Sequence, residues 1–145
     1  MGYTLAPEGG IQFDNLSGAR DYQPFKSYGQ SKLANILFAQ ELAACYADDP
    51  LTVNAIHPGL VGTNLGRYVS GKMRDPDAPL RKGMASAEQG ASTQVYVAAD
   101  PRLAGVSGYY FGDNNPEELK GPYATDPVLA RRLWDVSAEL VQPWL

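Results

Sequence analysis

Apolar residues recur along the chain in two spacings, and each spacing forecasts a different element. Between Ser27 and about Ala47 there is no proline and one early glycine, and Leu33, Ile36, Leu37, Ala39, Leu42 and Ala43 fall at helical intervals. That pattern predicts an amphipathic helix. Asp48, Asp49 and Pro50 stop it, and Leu51 to Ile56, with Val53 inside, reads as a short strand. Ser86, followed three residues later by Gln89, opens a second helix as a capping box, and Asp100-Pro101 closes it after Ala99. Gly108 to Gly112 encloses Tyr109, Tyr110 and Phe111 and reads as an aromatic strand. Asp126 and Pro127 suit an N-cap and a first helical position, with Leu129, Leu133, Val136 and Leu140 on one face of a last helix.

Two stretches follow neither spacing. Met1 to Lys26 mixes Gly, Pro, Asp and Asn, and is expected to be loop with at most one extended piece at Ile11 to Phe13 and no share in a core. Gly62 to Gly83 is rich in Gly, Pro and basic residues, Arg67, Lys72, Arg74, Arg81 and Lys82 among them. A long loop with a short helix, acting as a lid, is expected there. Three helices and two strands divided by helices define an α/β chain, with the strands from Leu51 and Gly108 pairing in parallel. A chain of 145 residues is expected to fold as a single domain, 1–145.

Charge and composition remove several function classes. With 12 Lys and Arg against 16 Asp and Glu, the net charge is -4, the wrong sign for a broad phosphate-binding surface, so no nucleic-acid partner is expected. The one cysteine, Cys45, cannot close an internal disulfide, and with the one histidine, His57, it cannot build a zinc site. No metal is expected, and His57 reads as a packed or hydrogen-bonded residue. No run approaches the roughly 18 apolar residues of a membrane span. Without a basic-then-apolar leader pattern, the expected address is cytoplasmic.

Tyr28 and Lys32 lie four apart on the first predicted helix, so their side chains share a face one turn apart. A phenol is a poor acid/base at neutral pH, and a neighbouring ammonium favours its ionised form. The same spacing also describes a half-buried ring beside a solvated ammonium, and spacing alone leaves both readings open.

The surrounding residues add a resemblance. Tyr28-Gly-Gln-Ser-Lys32-Leu-Ala-Asn-Ile-Leu-Phe-Ala-Gln-Glu-Leu-Ala resembles the active-site helix of short-chain dehydrogenases/reductases, most of all their retinol dehydrogenase and WW-domain-containing oxidoreductase branch. Val53-Asn-Ala-Ile-His-Pro-Gly-Leu-Val-Gly-Thr63 resembles that family's strand and Pro-Gly turn. Glu88 to Ala91, Gly108 to Phe111 and Ala130 to Trp134 resemble its following helix, last strand and closing helix.

The resemblance implies a partial Rossmann-like fold, the C-terminal half of a doubly wound parallel sheet with flanking helices. Tyr28 would be the catalytic proton donor or acceptor. Lys32 would assist it and hold the nicotinamide ribose, and Pro58, Gly59, Val61 and Thr63 would shape the nicotinamide pocket. The cofactor implied is NAD or NADP, and the substrate a hydrophobic alcohol or carbonyl compound.

A dinucleotide site needs a glycine-rich turn between a first strand and its helix, and this sequence holds none. The family's catalytic Ser and structural Asn would fall before Met1. The expectation is therefore a chain truncated to the catalytic half, lacking the N-terminal dinucleotide-binding half. It is expected to bind nucleotide poorly and to transfer no hydride alone, with a homodimer or a complementing chain as partner. Two alternatives stand beside it: a cofactor-independent isomerase, dehydratase or cyclase using Tyr28 and Lys32, and a non-enzymatic relative that binds a partner.

Overall fold

The structure is a computed structural model and describes residues 1–63 and 83–145. Most of the lid expected over Gly62 to Gly83, with its five basic residues, falls on 64–82, outside the described residues. Three α-helices are described: α1, Pro24–Cys45; α2, Ala87–Ala99; and α3, Pro127–Val141. Three short strands, β1 (Ala55–Ile56), β2 (Tyr110–Gly112) and β3 (Asn115–Pro116), form a sheet in the order β1-β2-β3. Ala55 N–H donates to Tyr109 O and His57 N–H to Phe111 O, both at 2.9 Å. Partners that advance together along both strands are the pattern of a parallel pair. β3 returns antiparallel to β2, with Phe111 opposite Pro116 and Gly112 opposite Asn115. The fold is thus α/β with a small mixed sheet, and the expected parallel pair is present.

The chain divides into two compact units: Met1–Ala55 with Ala104–Tyr110 and Glu117–Leu145, and Ile56–Leu103 with Phe111–Pro116. In the first unit, α1 begins three residues earlier than Ser27, because Pro24 occupies the first turn, where its fixed φ suits the helix and no N–H is needed. Leu33, Ile36 and Leu37 face inward and meet Ala130 and Leu133 of α3. Leu33 and Leu37 are sealed from solvent, each contributing about 1.5–3 kcal/mol by burial. Phe38 stacks on Trp134 with ring centroids 5.4 Å apart. Leu140 is 61% exposed, so the apolar stripe expected on α3 is used only in its first turns.

The opening stretch departs from expectation. It forms two 3₁₀ turns, Gly2–Leu5 and Phe13–Asn15, and it does carry core: Tyr3 and Ile11 are buried in the same cluster as Leu33 and Leu133. Tyr3 packs edge-on against Tyr110 at 5.7 Å and accepts a hydrogen bond from Lys120 N–H at 2.9 Å. Arg132 lies 4.2 Å above the Phe13 ring. Isolated apolar residues without periodicity were enough, because long-range partners rather than a regular element bury them.

The second unit holds α2, whose capping box forms as its sequence forecasts. Gln89 N–H donates to Ser86 Oγ at 3.2 Å, and Ser86 N–H to Gln89 Oε1 at 2.8 Å. Phe111 is fully buried and meets Tyr96 edge-on. β3 was not foreseen; Asp113 and Asn114 both take positive φ, the geometry that closes a two-residue hairpin.

Candidate active site

Tyr28 sits one turn inside α1 in the first unit. It is 47% exposed, and Lys32, also exposed, holds its Nζ 5.5 Å from the Tyr28 ring centroid. The two side chains expected to work together are thus neighbours facing solvent. The intervening residues fix the helix around them. Ser31 Oγ donates to Tyr28 O at 2.8 Å. Gly29 is buried against the 3₁₀ turn, where a β-carbon would stand 2.7 Å from Leu5 O. Only a bare α-carbon lets the helix come so close to that backbone.

The other expected residues fall in the second unit. After β1, His57 Nδ1 accepts from Gly59 N–H at 3.2 Å, and Gly59 takes φ +74 with none of the described residues within 4 Å of where a β-carbon would be. The hydrogen bond closes the Pro58-Gly59 turn. His57 is a hydrogen-bonded turn residue, as its sequence position forecasts. Val61 then forms a parallel bridge with Ala85, with Gly62 N–H donating to Ala85 O and Ala85 N–H to Leu60 O. Thr63 N–H donates to Val61 O at 2.9 Å. Val61 also packs on Gly90 of α2, where a β-carbon would lie 2.5 Å from Val61 Cγ2.

An exposed ammonium and an exposed phenol on one helix face of the first unit can donate to the diol of a ribose. Among the described residues, no glycine-rich turn joins a strand to a helix N-terminus, the arrangement that holds pyrophosphate. A hollow of about 610 Å³ in the first unit is lined by Gln40, Ala43, Asp49, Leu51 and Ser107. Gln40 lies twelve residues along α1 from Tyr28, roughly 18 Å at the helical rise, so this hollow is not at the phenol. No helix among the described residues is long and apolar enough to cross a membrane.

Tyr110 is a buried phenol of the first unit. Burial, then the neighbouring Tyr3, pushes its phenol up to about 12, which makes it a structural phenol rather than a second acid. Gly2, where an added β-carbon would meet the Tyr28 ring, is a neighbour of the phenol that sequence reasoning missed. No periodic pattern marks such a contact.

Known proteins resemble almost the entire chain. Human retinol dehydrogenase 14 is 44% identical over 138 residues, which is 92% of this chain and 40% of that protein. The chloroplastic short-chain dehydrogenase TIC 32 A of Brassica napus is 38% identical over 144 residues, 98% of this chain and 45% of the relative. Mouse polyprenol dehydrogenase is 40% identical over 129 residues, 87% of this chain and 38% of the relative. The chain therefore spans less than half the length of these relatives. No family profile matches it.

Proposed function

Since the chain belongs to the short-chain dehydrogenase/reductase family, in the branch of the retinol dehydrogenases, we propose that it supplies the proton-transfer residues of an NAD(P)(H)-dependent oxidoreductase. The reaction is alcohol/carbonyl interconversion on a hydrophobic substrate, a choice supported by the names of relatives that act on retinol and polyprenol. The observation that carries the reading is the exposed phenol of Tyr28 with the Lys32 Nζ 5.5 Å from its ring centroid.

In this reading Tyr28 gives its hydroxyl proton to the substrate oxygen during reduction and takes a proton from it during oxidation. Lys32 places a positive charge beside the ring as negative charge develops on the phenolic oxygen, and its remaining donors serve the ribose hydroxyls. Pro58, Gly59, Val61 and Thr63 are assigned to the nicotinamide end by the resemblance of the Val53-to-Thr63 run to the family's strand and Pro-Gly turn. NAD or NADP, when bound, supplies or takes the hydride. The groups that hold pyrophosphate come from a complementing sequence.

A graft tests this. The chain replaces its matching segment in human retinol dehydrogenase 14, and turnover of a long-chain primary alcohol is followed through NAD(P)H absorbance. The graft is expected to oxidise the alcohol, with Lys32→Ala lowering turnover. A graft that folds and binds nucleotide yet transfers no hydride contradicts the proposal.

A further inference from the structure

Two glycines in the first unit make close approaches of opposite character. At Gly29 the atoms a β-carbon would strike are backbone atoms of Leu5 and Ala6, which cannot yield without moving the 3₁₀ turn. At Gly2 the obstacle is the Tyr28 ring itself: a β-carbon would stand 2.5 Å from Cε1 and 3.1 Å from both Cζ and the phenolic oxygen. That obstacle is the far end of an exposed side chain, able to turn away. Gly29 therefore holds α1 against the Gly2–Leu5 turn, and the turn in return presents a bare α-carbon to the phenol. The ring rests there with the Lys32 Nζ 5.5 Å from its centroid.

We propose that Gly2 is a positioning residue, the seat that fixes where the Tyr28 phenolic oxygen stands relative to the Lys32 ammonium. The functional meaning rests on the reading of Tyr28 as the proton-transfer group. Any side chain at position 2 displaces the ring before it displaces backbone, because side-chain torsions have other staggered wells to occupy. The expected result is a folded protein whose phenol is misplaced. Reacting groups misplaced by about 1 Å can lose on the order of 10²-fold in rate.

The test uses NMR on the full chain. The parent should show a cross-relaxation contact between the Gly2 α-protons and the Tyr28 ε-protons, and Lys32 side-chain protons shifted by the ring current of Tyr28. Gly2→Ala should abolish that Lys32 shift while leaving the resonances of Tyr3 and Tyr110 in place, whereas Gly29→Ala should lower the thermal midpoint. An unchanged Lys32 shift in a folded Gly2→Ala protein overturns the proposal. Should Gly2→Ala itself lower the midpoint sharply, the double variant Gly2→Ala/Tyr28→Ala decides. Return to the midpoint of Tyr28→Ala assigns the clash to the ring and supports the seat; no return overturns it. These signals do not depend on turnover, so an inactive graft would defeat the functional reading and leave the seat standing.

Discussion

At the scale of single residues, three titratable groups carry consequences that follow from their neighbours. In the second unit, Arg102 holds the Asp100 carboxyl down at about 2 through a two-pronged hydrogen bond, Nε to Oδ1 at 2.9 Å and NH2 to Oδ2 at 2.7 Å. A carboxylate depressed in the folded state stabilises it above the ordinary carboxylate range, and that contribution disappears as pH falls toward 2. A carbon-detected titration of Asp100 should place its midpoint well below the ordinary carboxylate range; a midpoint within that range would contradict the pairing. Tyr110 runs the other way. With its phenol at about 12, its stabilising contribution is complete below the ordinary tyrosine range and is lost as pH rises through 12. Cys45 donates to Glu41 Oε1 at 3.6 Å; desolvation and that carboxylate raise its pKa, leaving less thiolate. Glu41→Gln should therefore speed alkylation of Cys45 by iodoacetamide at mildly alkaline pH, and an unchanged rate would count against the contact.

Among the elements, legibility in the sequence followed the range of the signal. The capping box at Ser86 and the N-cap at Asp126, whose carboxylate accepts from Val128 and Leu129 N–H, are encoded within four residues and could be read directly. The α1 stripe could be read too, because Leu33, Ile36 and Leu37 repeat with the helix. Met1 to Lys26 could not, since Tyr3 and Ile11 are buried by residues more than twenty positions away. The Asp113-Asn114 turn carried a readable signal, two residues tolerant of positive φ between β2 and β3. Ser86→Ala should cost about 0.5–2 kcal/mol through loss of the cap. Leu37→Ala should cost about 2–5 kcal/mol, because it opens a cavity where no side-chain surface is exposed. Urea unfolding of each variant measures both, and a Leu37→Ala cost below that of Ser86→Ala would contradict the core assignment.

For the whole molecule, the family was legible because the Tyr28-to-Ala43 run and the Pro58-Gly59 turn are long and local, and the relatives at 38–44% identity agree with it. The chain spans less than half the length of those relatives, and the proposed role is confined to its proton-transfer residues. Alone it should bind NADH and NADPH weakly in a fluorescence titration, and micromolar affinity would contradict the need for a complementing sequence. The most direct measurement of the central claim is the turnover of Tyr28→Phe in the graft at saturating nucleotide. Loss of the phenolic proton should cost about 10²-fold or more, within the usual range for acid/base groups, while Tyr22→Phe, at a ring 65% exposed, keeps the parent rate. A Tyr28→Phe graft that turns over as fast as its parent would contradict the account.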